Sequence, residues 1–208
     1  MHNDLSAKTL NRLTQYYTVL RDYNKRNIAN ITSVEISHIL KIDETQVRKD
    51  IKCINFRGKC KVGYSVSGLK KCIEDVLNMK TIKHAYVIGA GNLGIALSKY
   101  SKFREFGLEI VGLFDIDESK IGTKVGELAI NNIDSISDHI NETGVNIAIL
   151  TVPNNIAQNV CDHIVRSGIK YIWNFAPSIL KVPDDVSVWQ ENLIGSFLQF
   201  CAVVNHVK

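Results

Sequence analysis

Val87-Ile88-Gly89-Ala90-Gly91-Asn92-Leu93-Gly94 decides the fold. It reads Gly-x-Gly-x-x-Gly between a short apolar strand, Ala85 to Ile88, and a helix through Leu93, Ala96, Leu97 and Tyr100. Each glycine has a job. Gly89 permits a tight turn, Gly91 lets backbone approach a pyrophosphate, and Gly94 lets helix and strand pack closely. Amides at the helix N-terminus then face the phosphates, where the dipole favours negative charge. A second strand, Leu108 to Phe114, ends at Asp115, 21 residues after Gly94. A carboxylate there accepts both ribose hydroxyls of an adenosine and repels a 2′-phosphate. The pattern therefore predicts NAD(H), as NADH and NAD+, rather than NADP(H), with Ile116 beside the adenine. The alternatives are a Rossmann fold without a nucleotide, or one that takes another adenosine ligand such as coenzyme A.

Beyond that unit, strands continue to alternate with helices. Asn146 to Val152 reads as a third strand, Asn155 to Ser167 as a helix, and Lys170 to Phe175 as a fourth strand. That order implies a parallel sheet covered on both faces. Leu150-Thr151-Val152-Pro153-Asn154 lies at the carboxyl end of a strand, where open α/β sheets bind ligands. Thr151, Val152 and Pro153 are candidates for the floor under a nicotinamide. Asn174-Phe175-Ala176-Pro177 ends the next strand, and Asn174 and Ala176 are candidates to complete that pocket. The last segment, about Glu191 to His206, is apolar nearly all round through Leu193, Ile194, Phe197, Leu198, Phe200, Val203 and Val204. Such a helix must be buried by protein. A small domain has little room for it, so it is expected to pack into a dimer partner.

The first 80 residues read as helices. Leu10, Leu13, Tyr17 and Leu20 recur at helical spacing over 6–25. Ser33 is the expected cap of a short helix with Ile36, Ile39 and Leu40 inward. Asp43 caps a third, with Val47, Ile51 and Ile54 inward. Phe56 to Val66 reads as a hairpin, and Ser67 starts a fourth helix through Leu69, Ile73, Val76 and Leu77. This is the order of a winged helix-turn-helix. The third helix exposes Thr45, Gln46, Arg48, Lys49 and Lys52. Gln pairs with adenine, and Arg or Lys with guanine or phosphate. The wing adds Arg57, Lys59, Lys61 and Tyr64 with two glycines, suited to a backbone or minor groove.

Charge divides the same way. Residues 1–80 hold 15 Lys and Arg against 8 Asp and Glu, while 81–208 hold 10 against 13. A basic front on a mildly acidic back points to nucleic acid at one end only. The five cysteines form no C-x-x-C pair, which argues against a disulfide framework and a zinc site. Cys53 and Cys60 fall in the basic region, where thiolates are favoured. No signal-peptide core or membrane-length apolar run is present, so a cytoplasmic protein is expected. The architecture expected is α/β: a winged helix over 1–80, a Rossmann domain over 81–190 and a dimerisation helix over 191–208.

In this order, Gln46-Val47-Arg48-Lys49-Asp50, Val62-Gly63-Tyr64, the glycine loop 89–94, Phe114-Asp115, Leu150-Thr151-Val152-Pro153 and Asn174-Phe175-Ala176-Pro177 resemble the Rex family of redox-sensing repressors. The resemblance covers nearly the whole chain. It implies a homodimer with a swapped C-terminal helix and an A/T-rich inverted repeat as double-stranded DNA operator. It also implies DNA binding with NAD+, and release by NADH. Tyr100 matches a residue of the family's cofactor site. The chain departs from the family at Ile51 to Arg57, which carries more charge and fewer glycines. An Arg and an Asp that pair in family members match Thr18 and Asn192, which cannot form an ion pair. A Phe that caps the partner's nicotinamide site matches Leu193. These departures raise the expectation of a divergent paralogue with weaker discrimination between NADH and NAD+.

Two other readings compete. One is an NAD-dependent oxidoreductase with an N-terminal extension. Only about 115 residues follow the glycine loop, which leaves no catalytic domain. His139, His163 and His206 fall on expected helices away from strand ends, and Lys170 and Tyr171 do not form a Tyr-x-x-x-Lys pair. The other is a nucleotide-insensitive repressor whose Rossmann domain only dimerises.

Overall fold

The computed structural model describes residues 5–204 and divides into two compact units, Met1–Thr81 and Ile82–Lys208. In the first, α1 (Ala7–Lys25) is followed by β1 (Asn30–Ile31), α2 (Ser33–Leu40), α3 (Glu44–Cys53), β2 (Tyr64–Ser65) and α4 (Val66–Val76). Its core joins Leu13, Tyr16 and Leu20 of α1 to Ile36, Val47, Ile51, Leu69 and Ile73, all fully buried. Side-chain caps set the helix starts. Asp43 accepts the Gln46 amide, and Ser65 accepts the Gly68 amide.

Several local expectations shift by a residue or a face. Thr32, not Ser33, caps α2, because its hydroxyl accepts the Glu35 amide while Glu35 reaches back to the Thr32 amide. Ser65, not Ser67, starts α4. Tyr16 and Val19 join the inner face of α1, whereas Leu10 and Tyr17 are half-buried. Ile39 is exposed. The wing is a tight turn with one antiparallel bridge, Lys59 to Gly63. Its outgoing strand β2 pairs instead with β1, a two-residue strand the sequence pattern is too short to announce.

The second unit contains β3 (Lys83–Ile88), α5 (Asn92–Ser98), α6 (Lys102–Glu105), β4 (Leu108–Asp115), β5 (Lys124–Val125), β6 (Leu128–Asn132), α7 (Ile136–Thr143), β7 (Ile147–Leu150), α8 (Asn154–Arg166), β8 (Tyr171–Asn174), β9 (Ser187–Gln190) and α9 (Leu193–Val204). The seven strands lie in the order β5-β6-β4-β3-β7-β8-β9. Every neighbouring pair is parallel except β5 with β6. Both faces of the central strands are buried, and alternate residues supply them. Tyr86, Ile88 and Phe114 pack with residues of α7 and α8, while Ala85, Val87 and Leu113 pack on the other face, against Ile95 and Leu97 of the α5 segment.

The order reverses at β3, which has β4 on one side and β7 on the other. Open α/β sheets bind ligands beyond the strand ends at such a switch point. Helix α9 presents no buried residue, and Leu193, Ile194, Phe197, Leu198, Phe200 and Val203 are about three-fifths exposed or more. The part of the expected C-terminal segment beyond Val204, with His206, lies outside the described residues. Among the described residues no helix is long and apolar enough to cross a membrane.

Candidate functional site

At the switch point the chain leaves β3 through the glycine loop. Gly89 sits at φ +99°, and a Cβ there would meet Val152 Cγ1 at 2.9 Å and the Thr151 backbone at 3.1 Å. Gly94 is tighter, since a Cβ would lie 2.0 Å from the Gly89 carbonyl oxygen. Gly91 faces open space, and α5 begins on it without a side-chain cap. The loop is thus closed against its own fold at two glycines and left open at the third, where backbone can approach a ligand.

A cavity of about 500 Å³ opens beside this loop. Of the residues singled out from sequence, Gly89, Gly91, Asp115, Ile116, Thr151, Val152 and Pro153 line it. Thr151 donates its hydroxyl to the Gly89 carbonyl at 2.8 Å, which ties the β7 turn to the glycine loop. The lining also includes Asp117, Lys120, Ile133, Ile156 and Val160, which sequence reasoning missed. A Lys five residues after Asp115 was the available signal for Lys120.

Asp115 is buried and already engaged. One carboxylate oxygen accepts the Ala90 amide at 2.7 Å and the Lys120 ammonium at 3.2 Å, while the other accepts the Asp117 amide at 2.9 Å. Burial pushes this carboxyl up, but the Asp117 and Ala90 amides and Lys120 outweigh it and hold the group below its ordinary value. The carboxylate is therefore charged and held in place by partners within the fold.

Other sequence candidates lie elsewhere. Ala90, Asn92, Leu93 and Gly94 belong to the loop and α5 but not to the cavity wall. Asn174 is fully buried and pins its own turn. It donates to the Ser178 carbonyl and the Gln190 side chain and accepts the Ala176 amide. Neither Asn174 nor Ala176 lines the cavity. Tyr100 falls past the end of α5 and is exposed, edge-on to Phe103 at 5.0 Å.

In the first unit, Thr45, Arg48, Lys49, Lys52, Arg57, Lys59 and Lys61 are exposed, and Gln46 and Tyr64 are half-buried. Gln46 is tied to the buried core of the unit. Its side-chain amide donates to Asp50 at 2.8 Å. Asp50 is 1% exposed and also accepts two bonds from Arg12 and one from the Tyr16 hydroxyl. Burial pushes Asp50 up, but these donors hold it below its ordinary value, and burial with Asp50 beside it pushes the Tyr16 phenol up. A groove of about 540 Å³ runs between the starts of α2 and α3 and the wing, with Arg48, Lys59, Lys61 and Tyr64 on its walls. Cys53 and Cys60 are exposed, whereas Cys161 is buried and its thiol is pushed up to about 11 by burial.

The redox-sensing transcriptional repressor Rex of Clostridium kluyveri is 34% identical over 205 residues, covering 99% of this chain and 98% of that protein. The chain belongs to the Rex family. The Rex of Clostridium perfringens is 33% identical over 202 residues, 97% of this chain and 95% of its own length. Two solved structures of the Rex-family repressor RSP agree. RSP in complex with β-NADH matches with a TM-score of 0.89 at 33% identity, covering 97% of this chain and 95% of that one. RSP in complex with β-NAD+ and operator DNA matches with a TM-score of 0.90 at 32% identity, covering 97% and 93%. Residues 80–178 fit the family model of a CoA binding domain, and 4–51 that of a putative DNA-binding protein N-terminus.

A Rex-family chain is a regulator rather than an enzyme. His139 lies edge-on to Phe114 at 5.1 Å, and His163 lies 3.3 Å from the Ile133 carbonyl. Thr18 and Asn192, the two positions expected to break the family's ion pair, have local partners. Thr18 donates to the Thr14 carbonyl, and Asn192 accepts the Gly195 amide at 2.7 Å in front of α9.

Proposed function

We propose that this chain is a cytoplasmic, homodimeric repressor that binds operator DNA through its first unit and NADH or NAD+ through its second, with NADH favouring release. The observation that carries the reading is the cavity at the β3 switch point. It joins an open Gly91, a fixed Asp115 carboxylate and the Thr151-Val152-Pro153 turn. Those are the parts a dinucleotide needs for its pyrophosphate, its ribose and its nicotinamide side. The RSP complexes with β-NADH and with β-NAD+ and operator DNA support both halves of the reading.

The residues bear separate parts of the work. Gly89 and Gly91 bring backbone to the pyrophosphate, Asp115 holds the adenosine ribose, and Ile116 flanks the adenine. Val152 and Pro153 give an apolar floor, with Ile133, Ile156 and Val160 behind them. Reduction removes the positive charge of the nicotinamide ring. An apolar, closed site therefore prefers NADH, because a buried cation without a partner is costly. In DNA binding, Thr45, Arg48, Lys49 and Lys52 face the duplex from α3, and Arg57, Lys59 and Lys61 from the wing.

The exposed apolar α9 is covered by a second copy of the chain. A ligand that prefers one arrangement of that dimer shifts the population away from the form that spans two half-sites. The test is a gel-shift titration on an A/T-rich inverted repeat at fixed salt. Retardation should persist with NAD+ and fade with NADH. Equal retardation in both would favour a repressor that ignores the nucleotide.

A further inference from the structure

We propose that Glu44 is an internal stand-in for a DNA phosphate, which occupies Arg48 and the Ser33 hydroxyl and so restrains backbone binding without sequence match. The inference rests on the DNA-binding reading above.

Glu44 is the first residue of α3. One of its carboxylate oxygens accepts the Ser33 hydroxyl at 2.8 Å and also a terminal N–H of Arg48. Arg48 completes the triangle, since its Nε donates to Ser33 Oγ at 3.2 Å. All three side chains stand on the groove that also bears Lys59, Lys61 and Tyr64. The groove is otherwise basic, and it lies where the recognition helix and the wing converge.

A phosphate oxygen and a carboxylate oxygen ask for the same donors, a guanidinium N–H and a hydroxyl. Here Glu44 has taken them. The Ser33 hydroxyl and the Arg48 guanidinium hold its carboxyl below the ordinary range, so the competitor is an anion at neutral pH. The Arg48 and Glu44 side chains are 63% and 34% exposed, and an ion pair that open to solvent is weak. A well-placed phosphate can therefore displace Glu44, while loosely placed ones meet a negative charge. The other carboxylates nearby are committed elsewhere. Asp43 caps α3, and Glu35 closes the α2 capping box.

The test uses the full chain in fluorescence anisotropy with a labelled random-sequence duplex over a range of salt. Glu44→Gln should bind that duplex roughly threefold tighter than wild type at low salt, about the worth of an exposed ion pair. Its log-affinity against log-salt slope should steepen by about one phosphate contact. Glu44→Ala should repeat the gain. In an Arg48→Ala background the gain should vanish. Glu44 variants that bind the random duplex no tighter than wild type would overturn the inference. So would a gain that survives undiminished without Arg48, which would be a general charge effect. If wild type and every variant bind no duplex at all, the DNA-binding reading itself falls, and the inference with it.

Discussion

Arg12 of α1 and Asp50 of α3 meet in a two-point ion pair, Nε to Oδ2 at 2.5 Å and Nη2 to Oδ1 at 2.8 Å. Tyr16 and Gln46 donate to the same carboxylate, so four donors converge on one buried group. The cluster fixes α3 against α1. Gln46, whose position suggested base reading, spends its amide on this hub and sets the pose of α3.

Removing the hub should therefore loosen the first unit. Asp50→Ala leaves Arg12, Tyr16 and Gln46 without their shared acceptor, and breaking a buried pair this way costs about 3 kcal/mol. Urea unfolding followed in the DNA-binding unit checks it. A loss of a few tenths of a kcal/mol would show that the cluster is ornamental.

Acid should act through the same carboxyl. Its folded value is depressed, so its stabilisation is present above the unfolded value of about 3.9 and is lost as pH falls through the folded one. Unfolding curves from neutral pH down to strong acid should show wild-type stability dropping below about pH 4. Asp50→Asn should start lower and drop less. Parallel curves would remove Asp50 from the explanation.

The glycine loop predicts two contrasting variants. Gly94→Ala places a carbon 2.0 Å from the Gly89 carbonyl oxygen and should destabilise the second unit by about 1–3 kcal/mol. Gly91→Val points its side chain into open space, so the fold should survive while NADH binding fails. Thermal melting beside NADH titration separates the two. A Gly91→Val protein that binds NADH normally would move the pyrophosphate away from this loop.

Asp115→Ala should weaken NADH by about 2 kcal/mol, roughly 30-fold, as expected for hydrogen bonds to a charged group. NADPH should lose far less, because its 2′-phosphate no longer faces the carboxylate. Calorimetry with both ligands reads the ratio. An unchanged ratio would mean that Asp115 serves only its internal partners Ala90, Asp117 and Lys120.

Much of this was legible in the sequence, and the reasons are local. The glycine loop, Asp115 and the strand-helix alternation announce the sheet because each follows a strong period. Edge strands β5 and β9 stayed hidden. They are short and mostly exposed, so pairing rather than hydrophobic pattern creates them. Asp50 was passed over for a similar reason. Its partner Arg12 lies 38 residues away, and no spacing rule connects them. Glu44 was invisible as a site residue because its meaning depends on what stands opposite, Ser33 with Arg48, whereas Lys120 had only its spacing from Asp115 to mark it.

The most direct measurement titrates NADH into a complex of the chain and an A/T-rich inverted repeat formed with NAD+, at fixed salt, with DNA anisotropy as readout. NADH should release the DNA from wild type and leave the Gly91→Val complex in place. A wild-type complex that holds its DNA at saturating NADH, with NADH demonstrably bound, would contradict the coupling between the two units.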